Sequence, residues 1–289
     1  MAPEGGEGIY NYRGKFITPE SFSKQISYLN SRYSILALEE ALAHLQAGTL
    51  PQNALVITFD DGYRNFYTYA YPLLKSRGIP ATMYLATDFV CRNVPLWVDR
   101  LEHAFGKHEG TFAEKVALDA KTRQEFKTLS VSKREHDLRN VEQIGWTKFE
   151  DFEDERASYA PLTREQILEM QQHGISFGAH TKSHPILATL SADEQRQEIE
   201  GSRHDLEMLG IRVSPVFAYP NGQSGDWNDI TETTLKAAGF THALTTIEGT
   251  NTQHTSPYRL HRFALDATED FAVFANVVSG VRLFLKSLL

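Results

Sequence analysis

The chain has 289 residues, 41% of them hydrophobic, with 29 basic against 37 acidic side chains for a net charge of −8. That length fits two small domains or one α/β barrel, the apolar fraction supports a sizeable core, and the scattered Lys and Arg argue against a nucleic-acid partner. The single cysteine, Cys91, excludes an internal disulfide and a cysteine-built zinc site, and no apolar run is long enough to span a bilayer.

The start, Met1-Ala-Pro-Glu-Gly-Gly-Glu-Gly, is neither basic nor apolar and shows no signal-peptide pattern. A cytoplasmic location is therefore the expectation, with export after loss of a leader as the alternative. Residues 1–17 are polar and Gly-rich, and Thr18-Pro19 then reads as an N-cap followed by Pro at the first helical position. Phe22, Ile26 and Leu29 share one face of that helix; Tyr33 to Leu38 reads as a strand and Glu39 to Gln46 as a helix. Ala54-Leu55-Val56-Ile57 opens a strand buried on both faces, which closes on Thr58-Phe59-Asp60-Asp61-Gly62. Two adjacent carboxylates repel, and near a low-dielectric core one is pushed toward its neutral form unless a cation sits close by. A capping Asp and a turn Asp before Gly62 would also explain the pair. Pro72 starts a short helix that ends at Gly78, and Ala81 to Ala86 is the next strand.

Residues 92–156 differ in character, since 26 of these 65 are charged against 23% for the whole chain. They read as a solvated, mostly helical insertion with the amphipathic opening Leu96-Trp97-Val98-Asp99-Arg100-Leu101-Glu102. Trp97 is either an aromatic platform for a sugar ring or the residue that docks the insertion. Thr163 with Gln166, and Ser191 with Glu194, then form capping boxes for two helices on either side of the strand Ile175 to Ala179, which ends on His180. Val213 to Tyr219 is a strand running into Pro220-Asn221-Gly222, a helix follows to Gly239, and strands cover Thr241 to Thr246 and Tyr258 to Leu265. Residues 268–289 form a C-terminal helix from Thr268, with Phe271, Phe274, Ala275, Val278 and Val281 on one stripe, packed on the barrel or making a dimer contact.

Strands alternating with helices imply a mainly parallel sheet. No Gly-rich dinucleotide fingerprint follows any strand, so one closed or nearly closed barrel over residues 1–289 fits better than two doubly wound halves. In such barrels the chemistry gathers at the C-terminal strand ends, where Asp60-Asp61, His180 and Pro220-Asn221-Gly222 all fall. His180-Thr181-Lys182-Ser183-His184 brings two imidazoles four residues apart. With a carboxylate from a neighbouring strand end they make a two-His, one-carboxylate set with open positions, the arrangement of a catalytic divalent metal. One aspartate would ligate the ion and the other accept a proton from water, so metal-assisted hydrolysis of an acyl group is the favoured chemistry.

These stretches together resemble the polysaccharide deacetylase family, the carbohydrate esterase family 4 type with a NodB-homology domain. The resemblance runs from about Pro51 to Arg262. Thr58-Phe59-Asp60-Asp61-Gly62 matches the first motif and His180-Thr181-Lys182-Ser183-His184 the second. The resemblance implies an irregular, TIM-barrel-like (β/α) barrel of about seven strands. It further implies Asp60 as general base, Asp61, His180 and His184 as ligands of one divalent metal (Zn first; Co, Ni, Mn or Fe as alternatives), and removal of an acetyl group from an N- or O-acetylated sugar.

The third motif departs from the Arg-Pro-Pro-Tyr-Gly-like form. Phe217-Ala218-Tyr219-Pro220-Asn221-Gly222 resembles the bacterial Phe-Ala-Tyr-Pro-x-Gly variant, with Ala218 where the family's Arg braces the catalytic Asp. The Asn221 backbone N–H remains available to bind the oxyanion, and Tyr219 belongs to the same substrate-side set. His261, in Tyr258-Arg259-Leu260-His261-Arg262, is the candidate acid for the leaving amine, with His254 as its rival. Two other readings stay open: a carbohydrate-binding pseudoenzyme, and the same metal chemistry on a formyl group or a cyclic imide.

Overall fold

The structure, a computed structural model, describes residues 16–144, 159–265 and 270–280. Within them the chain runs α1 (Pro19–Arg32), β1 (Ser34–Ile35), α2 (Leu38–Ala47), β2 (Ala54–Leu55), β3 (Thr58–Phe59), a π-helical turn (Phe66–Ala70), α3 (Tyr71–Ser76), β4 (Ala81–Leu85) and α4 (Thr87–Arg92). Three helices follow without a strand: α5 (Trp97–Lys107), α6 (Phe112–Phe126) and α7 (Val131–Ile144). The alternation resumes with α8 (Arg164–Gln171), β5 (Ile175–Ala179), α9 (Ala192–Met208), β6 (Val216–Ala218), α10 (Asp229–Ala237), β7 (His242–Leu244) and α11 (Phe271–Val278).

The ladders are parallel, as the alternation predicts: β1 with β2, β3 with β4 and β4 with β5, and β6 with β7. Single parallel bridges, Phe177 to Val213 and Leu244 to Leu260, extend the order at two further places. The predicted strand 54–60 is interrupted because its partner changes, β2 pairing with β1 and β3 with β4. The predicted strand 258–265 contracts to the one bridge at Leu260. Asn251 explains this, since its side-chain amide takes both the N–H and the C=O of His261 at 2.9 Å, leaving neither for a ladder.

Side-chain alternation buries both faces of the strands, in different places. Met83, Leu85, Phe177, Phe217 and Ala243 enter the main core with α1, α3, α8, α9 and α10. Tyr84, Val216, Ala218, Leu244 and Leu260 instead form an inner cluster, covered at one end by Leu38 and Leu42 of α2. Gly178 stands opposite Tyr84 in the β4–β5 ladder and gives its ring room to cross that cluster.

The helices begin where the sequence places their caps. Thr163 with Gln166, and Ser191 with Glu194, exchange the reciprocal bonds of a capping box. The predicted cap Thr268 lies outside the described residues, as does Val281 at the end of the predicted stripe, and α11 is capped by Asp270. Phe271 and Phe274 of α11 meet Tyr28 of α1 edge to face. Helices α5 to α7 share a small core of Trp97, Leu101, Phe105, Phe126 and Leu138, and Arg100 ties α5 to Glu135 and Glu142 of α7. Residues 145–156 of the predicted insertion lie outside the described residues. No helix among the described residues is long and apolar enough to cross a membrane.

A Cβ at position 178 would stand 2.5 Å from Tyr84 Cε1 and 2.9 Å from the Val216 carbonyl oxygen. Gly178→Ala should therefore destabilise the fold by about 1–3 kcal/mol through overpacking, read as a lower thermal midpoint; an unchanged midpoint would contradict this packing. Asp205 joins Arg92 and Thr87 of α4 to Lys182. Burial alone would raise its carboxyl, but these hydrogen bonds and charges outweigh it and hold the pKa far below the ordinary value. The stabilisation is present above the unfolded carboxyl value and fades as pH falls through the acid range. Asp205→Asn should thus lower the thermal midpoint at pH 7, with the gap to wild type closing below about pH 4.

Candidate metal centre

Four non-glycine residues in the loops after β3, β5 and β6 have left-handed backbones: Asp61 (φ 78°), Thr181 (66°), His184 (55°) and Asn221 (59°). Such conformations cost of order 1–3 kcal/mol and persist where the surroundings over-determine them. After β3, Gly62 N–H turns back to the Asp60 carbonyl, and Ala86 N–H at the end of β4 bonds the Asp61 carbonyl. Gly62 has φ 100°, and a Cβ there would lie 2.8 Å from Leu85 and Val90 side chains, so only glycine fits.

After β5, Glu198 of α9 reaches under the loop between the two histidines. Its carboxylate accepts from Lys182 N–H at 2.8 Å, Ser183 N–H at 2.9 Å and the Ser183 hydroxyl at 2.7 Å. On the other side, Trp97 Nε1–H donates to the His184 carbonyl at 3.0 Å and Arg134 donates to the Ser183 carbonyl at 3.2 Å. After β6, Asn221 is held through its side chain, which donates to Asp226 at 2.6 Å and accepts from Lys127 of the helical segment at 2.9 Å.

These loops bring Asp61, His180 and His184 together, with one donor atom from each lying within 4.8 Å of the others. His180 Nδ1 lies 2.7 Å from the Ala218 carbonyl, which can only accept, so Nδ1 carries the proton and Nε2 turns its lone pair toward the site. Burial lowers the pKa of both imidazoles, His184 the more strongly, with His180 and Arg134 adding to its shift. Neither ring is therefore a cation at neutral pH, yet their Nε2 atoms stand 3.7 and 3.5 Å from Asp61 Oδ1. Ligand atoms each about 2.0–2.1 Å from one tetrahedral ion lie about 3.4 Å apart. The donor set thus fits a divalent metal, and a cation between these atoms answers the lone-pair repulsion; His184 Nδ1 is buried without a hydrogen bond.

Asp60 has a different partner. Arg262 donates to both of its carboxylate oxygens at 2.9 Å, and also to the Thr58 hydroxyl and the Thr245 carbonyl. Burial pushes the Asp60 carboxyl upward, but the Arg262 charge, His180 and the guanidinium hydrogen bonds outweigh it, and the pKa falls below the ordinary value. Asp60 is accordingly an anion held in fixed orientation next to the donor set. The sequence reading left the brace open once Ala218 occupied the motif position; Arg262 supplies it from the other end of the chain.

Three expected site residues stand elsewhere. His261 lies between Leu260, which enters the inner cluster, and Arg262, which reaches Asp60. Its ring packs on Gly249, and it makes no hydrogen bond to Asp60, Asp61, His180 or His184. Tyr219 is 1% exposed, with its phenol donating to the Tyr258 carbonyl and its ring stacked on Trp227, and is a core residue rather than a substrate contact. Trp97 is 5% exposed and lies beneath the Arg134 guanidinium, so it offers no face to a sugar. The rival acid His254 sits on an exposed loop. The Asn221 N–H donates to no acceptor among the described residues and remains open to an oxyanion.

Residues 47–243 match the family model described as polysaccharide deacetylase. The protein YxkH of Bacillus subtilis is 24% identical over 271 residues, covering 92% of this chain and 71% of that protein. The poly-beta-1,6-N-acetyl-D-glucosamine N-deacetylase of Staphylococcus epidermidis is 33% identical over 87 residues, which span 30% of this chain and 29% of that enzyme. The fold is similar to that of the Streptococcus pyogenes deacetylase PplD in complex with acetate, with a TM-score of 0.61 and 23% identity over 91% of this chain and 87% of that one. It is also similar to IcaB from Ammonifex degensii, with a TM-score of 0.58 and 20% identity over 91% and 88% of the two chains.

Titration of the metal-free protein with Zn²⁺ in a calorimeter should give one equivalent per chain. His184→Ala should weaken binding by more than the roughly 10–100-fold typical of outer partners, while Arg262→Gln should leave the stoichiometry unchanged. Full-affinity binding by His184→Ala would remove it from the ligand set.

Proposed function

The chain belongs to the polysaccharide deacetylase family, and we propose on that footing that it hydrolyses N-acetyl groups on an amino-sugar polymer or its precursor. Asp61, His180 and His184 would hold one divalent metal and Asp60 would act as general base. One observation carries this reading: a neutral two-His, one-carboxylate donor set lies beside a second carboxylate that Arg262 keeps ionised. Taking β2 and β3 as one strand and the Leu260 bridge as the last, the parallel segments fit an irregular (β/α) barrel with the site at its C-terminal strand ends.

A bound divalent ion, Zn²⁺ as first choice, supplies a Lewis acid for the acyl oxygen and brings the pKa of water toward about 7. The chain's own residues account for the remaining steps. Asp60, anionic and oriented by Arg262, accepts the proton of the attacking water as its oxygen bonds to the acyl carbon. The Asn221 N–H donates to the carbonyl oxygen as it becomes negative. When the C–N bond breaks, the departing nitrogen needs a proton; with the His261 ring packed on Gly249, Asp60 is assigned to return the one it took. Water is thereby divided between acetate and the free amine, and an O-acetyl ester would follow the same course with an alcohol leaving. The position of His261 also favours a second reading, a carbohydrate-binding protein without turnover, while the Arg262 brace on Asp60 speaks against it.

The staphylococcal relative is named for poly-beta-1,6-N-acetyl-D-glucosamine, which makes that polymer the first to test beside chito-oligosaccharides. Acetate release should require added metal and stop with chelator. Asp60→Asn should lower turnover by about 10²–10⁴-fold, the usual range for a lost general base, while still binding one metal. Binding of glycan without acetate release across the panel would favour the second reading.

A further inference from the structure

We propose that Trp97 is a positioning residue of the metal centre, acting through the backbone carbonyl of His184. The inference rests on the metal-site reading above and concerns how this chain keeps His184 in place. His184 has a left-handed backbone (φ 55°), as does Thr181 three residues earlier. A non-glycine residue held there relaxes unless its peptide groups are fixed from outside. The loop is fixed from two sides. Its N–H groups at Lys182 and Ser183 go to Glu198 of α9, and the His184 N–H goes to the Thr181 hydroxyl at 3.1 Å. Its carbonyls at Ser183 and His184 go to Arg134 and Trp97 of the helical segment.

The indole is suited to this task because it cannot move. It lies in the small core with Leu101, Phe105 and Phe126, and the Arg134 guanidinium is 5.1 Å from its ring centre. The segment that carries it is anchored to the other two loops as well. Tyr63, next to the Asp60-Asp61-Gly62 turn, donates to Asp99 at 2.7 Å, and Lys127 donates to Asn221 at 2.9 Å. Loss of the indole N–H would leave the His184 carbonyl without its donor. The peptide would then be free to rotate, and the imidazole would leave its place 3.5 Å from Asp61.

The test replaces Trp97 in the full chain in two ways. Trp97→Phe keeps an aromatic ring, and benzothienylalanine at position 97 keeps the bicyclic shape while replacing the N–H by sulfur. Zn²⁺ affinity is read by competition with a chromogenic chelator, ligand geometry by the visible spectrum of the Co²⁺-loaded protein, and turnover by acetate release. Both variants should bind Zn²⁺ about 10–100-fold more weakly, as loss of outer partners does, with an altered Co²⁺ spectrum, a reduced kcat at saturating metal and an unchanged KM. Wild-type affinity and spectrum in the benzothienylalanine protein would overturn the proposal, whatever the phenylalanine variant does. Weaker metal binding in a protein that releases no acetate from any glycan would uphold the positioning role and overturn the deacetylase reading; a wild-type chain that binds no Zn²⁺ would overturn both.

Discussion

The bidentate pair between Arg262 and Asp60 constrains more of this molecule than any other single contact. The partners are 202 residues apart in sequence, and both side chains are mostly withdrawn from water. A charge in that position is tolerated only with its partner, and removal of one member of such a pair typically costs about 3–5 kcal/mol. Beyond Leu260 the Arg262 N–H still bonds the Ile247 carbonyl, and the guanidinium adds to that connection, reaching Thr58, Asp60 and Thr245 at once. One side chain thereby joins strand ends and keeps Asp60 ionised.

This pair also resolves the problem set by two adjacent aspartates. Asp60 is neutralised by a fixed cation of the protein, whereas Asp61, turned away by its left-handed backbone, faces two uncharged imidazoles. The charges are separated by environment rather than by distance. The same division explains why the surrounding loops carry so much strain. Donor atoms from the loops after β3 and β5 converge only if the backbone turns back sharply after each, and the supports that hold these turns and the one after β6, Glu198, Arg134 and Lys127 among them, come from other elements.

The grouping of Asp61, His180 and His184 was legible in the sequence because these residues come in short runs. Apolar runs mark the segments before Asp60-Asp61 and before His180, and capping boxes flank the second of them. The parallel α/β class followed from the same alternation. What escaped were side chains whose role depends on where another segment comes to lie. His261 was the expected acid because it lies near the predicted last strand, and its neighbour Arg262 carried no role of its own. Which of the two neighbours reaches Asp60 depends on how the chain runs after the Leu260 bridge, where the predicted strand stops. Trp97 was open to two readings because an amphipathic helix start does not say which partner covers it. Tyr219 lay next to a catalytic turn, but its ring was already committed to Trp227.

Ala218 carries a consequence for descent. It is fully buried among Tyr84, Val216 and Leu244, and its carbonyl fixes the tautomer of His180. Members with arginine at this point of the motif brace the base from the strand next to the histidines, whereas here the brace arrives from beyond the last strand. A lineage passing between the two forms would meet either two guanidinium groups competing for one carboxylate or a base with none. It would also have to make room for an arginine where an alanine methyl now touches the inner cluster.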